Sequence, residues 1–470
     1  MKIPFVGSTY QARSTDASAE RAVNVYLEKN PAPGREWALY GTPGLTLRAT
    51  LGTSPVRGAC KMGALTFWVA GNTVYKMDAA YVVTALGTIG TSTGRVGMDT
   101  NGSEVIIVDG VSGWIATSSA LTEIADEDFP SGVTLARCLD GYFIVAGGGD
   151  QKVYWCEVPG SGTAWNGLDF GSAEGNPDNI IGIEVDHREL WLFGSETVEV
   201  WVNTGDADAP FQRSGNTFIQ QGTASGWSIA ATDNAVLWLS ANSDGEGIVM
   251  RAEGYTPVRI STHALETAMR GYSTIADAYA YCYQLDGHSF YTLHFPTADA
   301  TWFYDAATQQ WFEWLWRDPT TNELHRHRSV CHVFANRKHL VGDWETGEVY
   351  SLEPGVYTDN GDAIKRLRRT QTFSSSVAKR IFFGDLGLDM ETGVANADCA
   401  DPKVMLRYSN DSGHSWSNEK LKSIGKTGQY GRRVKFGPSG SGRHRVWEVS
   451  MTDPVEFALF GADVEAEAGS

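Results

Sequence analysis

The stretch Tyr142-Phe143-Ile144-Val145-Ala146-Gly147-Gly148-Gly149-Asp150-Gln151-Lys152-Val153-Tyr154-Trp155 decides the fold. Two short apolar runs, both carrying aromatic rings, flank a turn rich in glycine. β-Branched and aromatic residues favour a pleated surface, and glycine reverses the chain at no steric cost, so the stretch reads as a β-hairpin. A single hairpin cannot bury its own faces and needs neighbouring sheets.

The same unit recurs on both sides. Upstream stand Phe67-Trp68-Val69-Ala70 with Gly71-Asn72 and Val74-Tyr75, then Val105-Ile106-Ile107-Val108 with Asp109-Gly110. Downstream stand Leu190-Trp191-Leu192-Phe193 with Val198-Glu199-Val200-Trp201, then Val236-Leu237-Trp238-Leu239. Phe290-Tyr291-Thr292-Leu293 with Trp302-Phe303-Tyr304 and His339-Leu340-Val341 with Val349-Tyr350 complete the series. Successive units start 38, 37, 48, 46, 54 and 49 residues apart. Strand–turn–strand repeats at about 40–50 residues predict a β-propeller, whose closed ring covers the faces of its small sheets. The units predict six or seven blades.

Other elements are few. Thr262 to Arg270, bounded by Gly271, is the best helical pattern. Val23, Val25 and Leu27 alternate as in a strand that Pro31 and Pro33 stop. The pattern breaks between Glu353 and Asp362, and the remainder alternates in Arg380-Ile381-Phe382-Phe383, Val404 to Tyr408 and Arg445 to Met451. The expected division is therefore a propeller-like domain over 1–360, including an N-terminal closing segment, and a small β-sandwich over 361–470. Glu465 to Ser470 reads as a frayed tail. The fold class is all-β.

Composition narrows the function. Of 470 residues, 38 are basic and 56 acidic, a formal net charge of −18. Duplex DNA binding draws on counterion release by clustered Lys and Arg, so an extended DNA-gripping face is excluded, and adhesion to anionic membranes is disfavoured. No apolar run approaches the length of a membrane span, and the first residues turn polar too early for a secretory signal. The six scattered cysteines form no C-x-x-C and are expected as reduced, mostly buried thiols.

Several short motifs bear on chemistry. Ser409-Asn410-Asp411-Ser412-Gly413-His414-Ser415-Trp416 matches S-x-D-x-G-x-x-W and resembles the Asp-box of sialidases and related propellers. Ser409, Asp411, Gly413 and Trp416 are expected to build a structural turn. The acidic runs Asp126-Glu127-Asp128 and Asp244 with Glu246 read as solvated turns rather than a glycosidase pair. His325-Arg326-His327, near Cys331 and His332, fits no established zinc spacing. Gly425-Lys426-Thr427 lacks the upstream glycine of a phosphate loop. In Trp311-Phe312-Glu313-Trp314-Leu315-Trp316, alternation sets Trp311 and Glu313 on one face and Phe312, Trp314 and Trp316 on the other. These rings read as core or as a subunit-contact patch, and the basic run Lys365, Arg366, Arg368 and Arg369 as a contact for phosphate or an acidic partner, the acidic chain favouring a protein contact. No catalytic, metal-binding or cofactor-binding residue is expected.

Two end stretches together resemble a known family. Arg21-Ala22-Val23-Asn24-Val25-Tyr26-Leu27-Glu28 followed by Tyr40-Gly41-Thr42-Pro43-Gly44-Leu45 is similar to the opening of the packaged-DNA stabilisation proteins of short-tailed bacteriophages, also called tail accessory, hub or nozzle proteins. The C-terminal segments Leu406 to Glu419, Gly425 to Val434 and Arg445 to Val455 support it, as does Ile180 to Glu199 in the middle. The resemblance implies a virion tail component without enzymatic activity, made in the bacterial cytoplasm and assembled as a homohexameric ring below the portal and adaptor. It implies that the ring prolongs the DNA channel, retains the packaged genome and anchors a tail needle and tailspikes or fibres, with double-stranded DNA as passing cargo. The rival expectations are a sialidase-like propeller glycosidase and a glycan-binding receptor-recognition protein.

Overall fold

Each of the seven aromatic-bearing hairpins is the middle pair of a four-stranded antiparallel sheet. The computed structural model describes residues 2–30, 36–173, 175–207, 209–374 and 379–468. The innermost strands are Val56–Met62, Gly97–Thr100, Leu135–Leu139, Ile180–Asp186, Ala230–Thr232, Tyr279–Leu285 and Ser329–Ala335. Each touches the next around a ring, and the seventh returns to the first. The body is thus a propeller of seven four-stranded blades.

Ring closure comes from a short piece of the N-terminal region. Gly44–Thr50 is the outer strand of the seventh blade, running antiparallel to Glu348–Glu353 in a register that sets Gly44 opposite Glu353 and Thr50 opposite Glu348. Uniting distant segments in one sheet ties the ring at its seam.

The residues before Gly44 lie elsewhere. Ala19–Val23, Val25–Lys29 and Trp37–Gly41 belong to the two sheets of the sandwich, which both chain ends therefore build. One sheet runs Val25–Lys29, Trp37–Gly41, Ala458–Ala468, Ile381–Met390, Val434–Phe436. The other continues the sixth blade outward: Gln310–Glu313 adjoins Ala19–Val23, followed by Arg366–Arg369, His444–Met451, Lys403–Ser409 and Lys420–Ser423. One hydrogen-bonded sheet thus passes from propeller to sandwich across the sequence boundary expected at residue 360. Alternation along residues 19–29 identifies strand, but periodicity carries no information on the partner sheet.

The core follows this continuity. Tyr283, Phe290, Phe303, Phe312 and Trp314 of the sixth blade pack in one cluster with Phe383, Leu406, Trp447 and Leu459 of the sandwich. Smaller apolar cores lie between the other blades, for example Leu237, Val249, Leu265, Tyr291 and Trp311. The helix forms over His263–Arg270, where the Thr262 hydroxyl accepts from the Leu265 amide and Gly271 ends it. The C-terminal segment expected to fray is instead the end of strand Ala458–Ala468, paired with Ile381–Met390 along its length; residues 469–470 lie outside the described ones, as do Pro31 and Pro33.

Candidate functional site

The junction of propeller and sandwich holds a dense set of buried polar side chains. Its centre is Asn24, fully buried and at φ 55. Asparagine tolerates the left-handed region better than most residues, and here that conformation turns one strand into two. Residues before Asn24 pair in the sheet of the sixth blade, and residues after it in the opposite sheet of the sandwich. Its side-chain amide donates to the carbonyls of Leu315 (2.8 Å) and Lys365 (3.0 Å), and its Oδ1 accepts from the Leu315 amide at 2.8 Å. Its own N–H reaches the Glu313 carbonyl (2.9 Å), and its carbonyl accepts from Thr42 N at 3.0 Å. One residue therefore satisfies backbone groups from three separate segments, Glu313 to Leu315, Lys365 and Thr42.

Charges flank this node in pairs. Arg21 binds Glu313 with Nη2–Oε2 at 2.6 Å, and its charge is held well above the usual arginine range by that carboxylate. Glu448, almost fully buried, takes Arg369 at 2.8 Å on one oxygen and Arg407 at 2.5 Å on the other. The ring of Trp416 has both of these guanidinium groups 4.7 Å from its centroid. Arg368, with no exposed surface, donates to the Phe5 and Ser8 carbonyls (both 2.7 Å) and to Glu20 at 2.6 Å. Arg366, equally buried, is held by the carbonyls of Tyr357 and Asp453, and burial lowers its pKa to about 10.

The basic run is accordingly turned inward at Arg366 and Arg368, with Lys365 and Arg369 half-buried. Arg366 and Arg368 are buried, Arg369 is paired to Glu448, and the Lys365 carbonyl serves Asn24; the patch expected to meet an acidic partner folds inward because the carboxylates of Glu20 and Glu448 lie within the same sheets. The aromatic stretch is internal too. Trp311 packs in the core between the fifth and sixth blades and donates to the Ile260 carbonyl at 2.8 Å, while Phe312 and Trp314 face the sandwich core. Trp311 and Phe312 therefore enter different cores. Trp316 is partly exposed, its ring 4.9 Å from the Arg328 guanidinium.

Two glycines of the Tyr40 to Leu45 motif have a steric reason. A Cβ on Gly41 would stand 2.6 Å from Arg366 Nε, and one on Gly44 would stand 2.3 Å from the Thr358 carbonyl oxygen. Below this crossing lies Asp359, buried, where loss of solvation raises the carboxyl pKa to about 7.

The Asp-box is a tight, hydrogen-bonded turn. Ser409 Oγ donates to Asp411 at 2.6 Å and accepts from Gly413 N at 2.8 Å, Asp411 accepts from Ser415 N at 2.8 Å, and Gly413 has φ 97. Trp416 folds back to donate to the Gly413 carbonyl at 3.1 Å. Hydrogen bonds from Ser409 and Ser415 hold the Asp411 carboxyl below the usual range. The histidines disperse: His325 pairs with Asp299, His327 is buried against Ser329 with its pKa lowered by burial to about 3, and His332 meets His339. Among the described residues no group of His, Cys, Asp or Glu could hold a metal ion, and no helix is long and apolar enough to cross a membrane. All six cysteines are free thiols.

Sequence reasoning missed Asn24 and the inward arginines. A signal for the arginines existed: carboxylates at Glu20, Glu313 and Glu448 interrupt otherwise apolar strands, which predicts buried partners.

A β-propeller that shares a sheet and a core with a β-sandwich, with its polar chemistry spent on joining the two, defines a structural protein class. Family models described as bacteriophage P22 Gp10, beta-propeller, and bacteriophage P22 Gp10, beta-sandwich, match residues 1–357 and 365–467, so the chain belongs to the P22 Gp10 family of phage tail structural proteins, components of the virion. No curated protein matches the chain. Among solved structures, the N-terminal domain of Nup159 is similar over 70% of this chain and 98% of its own, at 8% identity and a TM-score of 0.44. The Neurospora crassa Pan2 WD40 domain covers 66% and 95% (9% identity, TM-score 0.43), and BamB from Moraxella catarrhalis covers 75% and 95% (11%, 0.39).

Proposed function

We propose that the chain is a tail hub or nozzle subunit that assembles as a homohexameric ring beneath the portal and adaptor, lengthens the DNA channel and retains the packaged genome. The ring anchors a tail needle and tailspikes or fibres, has no enzymatic role, and is made in the host cytoplasm before joining the virion. The observation that carries this reading is the match of two successive family models to nearly the whole chain. The net charge of −18 supports it, because an acidic lumen repels the phosphate backbone and lets DNA slide without sticking. The shared propeller–sandwich core supports it as well, since a tail under the pressure of packaged DNA needs a body that does not hinge. The test is particle imaging of the purified protein mixed with portal–adaptor complex. A six-fold ring seated on the adaptor is expected. A free monomer that cleaves or binds glycan overturns the proposal.

A further inference from the structure

The propeller axis holds a cavity of about 460 Å³ lined from all sides of the ring. Its acceptors are already engaged. Glu184 is taken by Arg137 at 2.7 Å, and Asp99 accepts from the backbone amides of Thr100 and Cys138, each at 2.8 Å. His332 spends Nε2 on His339.

Arg95 differs. It leaves the segment before the second blade and crosses the axis, with its guanidinium 5.1 Å from the Trp227 ring and 4.4 Å from the Tyr279 ring. One nitrogen donates to the Val330 carbonyl at 3.1 Å, and Nε has no partner. Arg326 reaches the hydroxyl of the same Tyr279 at 3.5 Å and lies over Trp344. Among the described residues neither guanidinium has a carboxylate within ion-pair distance, although the chain carries an excess of 56 − 38 = 18 acidic residues. Both guanidinium groups meet the same tyrosine, so the Arg95 charge is disfavoured by lost solvation and by its neighbour, which an anion against Arg95 in the cavity would relieve.

We infer that this axial cavity is a binding site for a small organic anion, with Arg95 as its principal contact and Arg326 reinforcing the field. The ligand chemistry is a carboxylate or phosphate group on a body small enough for a cavity within the usual range for such sites. A planar guanidinium held against two rings and the Val330 carbonyl is fixed in place, and its remaining terminal nitrogen suits a charge-assisted bond to an anionic oxygen. A cation is disfavoured because every carboxylate lining the cavity is occupied.

The experiment is a titration of the purified full-length protein with citrate and, separately, with inorganic phosphate, read by tryptophan fluorescence and thermal shift at constant ionic strength. Saturable binding is expected, weakened at least tenfold in Arg95→Gln and less in Arg326→Gln. Removing the reporting ring in Trp227→Phe should diminish the fluorescence change while the thermal shift persists. If Arg95→Gln fails to fold, Arg326→Gln carries the comparison. Citrate binding without phosphate binding assigns a carboxylate ligand, and the reverse a phosphate. Non-saturable response to both anions, or equal affinity in wild type and the folded variants, overturns the inference. The outcome does not depend on ring formation.

Discussion

Replacing Asn24 with alanine removes one side chain and frees backbone groups in two other segments, at Leu315 and at Lys365. The amide makes three hydrogen bonds to backbone groups, at 2.8, 3.0 and 2.8 Å, in a site with no exposed surface. Asn24→Ala leaves two carbonyls and one N–H buried without partners, each costing about 1–3 kcal/mol, or about 3–6 kcal/mol together once partial relaxation is allowed. Alanine at φ 55 adds about 1 kcal/mol of left-handed strain that glycine does not incur. Asn24→Ala should therefore destabilise by about 4–7 kcal/mol and Asn24→Gly by about 1 kcal/mol less. Urea unfolding monitored by far-ultraviolet circular dichroism and by tryptophan fluorescence measures both. Because Asn24 joins the sixth blade to the sandwich, the two probes should coincide in the wild type and separate in the alanine variant. A loss below about 2 kcal/mol in Asn24→Ala, with coincident probes, would refute the role given to this residue.

Three further outcomes follow from neighbouring residues. Asp359 has a folded pKa raised to about 7 against an unfolded value near 4, so the folded state binds the extra proton and wild-type stability falls as pH rises from about 4 to 7, then levels. Asp359→Asn should equal the wild type at pH 4 and exceed it at pH 8 by at most about 4 kcal/mol, measured by urea midpoints across that range. Gly44→Ala should cost at least about 2 kcal/mol and loosen the ring seam, because its Cβ would meet the rigid Thr358 carbonyl; hydrogen exchange concentrated in Gly44–Thr50 and Glu348–Glu353 would register it. Glu448→Gln should destabilise by about 3–5 kcal/mol, since Arg369 and Arg407 then share a buried site without a countercharge, and thermal melts in low and high salt would show the loss persisting under screening.

Legibility varied with the range of the interaction. The aromatic hairpins at Phe67, Tyr142 and Phe290 announced blades because a period-2 apolar pattern and a glycine turn are local facts. The helix at His263–Arg270 was equally local, fixed by Thr262 and Gly271. The Asp-box was legible as a turn, since its donors and acceptors lie within eight residues, though not its individual Ser409 and Trp416 bonds. The sequence did not reveal that Trp311 and Phe312 face two different cores inside one chain, nor that Arg366 and Arg368 point inward, because a strand pattern states which residues share a face and not what covers it.

By itself, then, the sequence determined the all-β class, the propeller repeat, the acidic balance and the two-part order that the family models also follow. Only the tertiary structure decided that the blades number seven, that Gly44–Thr50 closes the ring, and that both chain ends build the sandwich. It also decided the place of Arg95 across the propeller axis. The physical reason is the range of pairing: strand formation depends on neighbours two residues apart, whereas sheet membership depends on partners such as Val23 and Leu367, or Gly44 and Glu353, hundreds of residues distant.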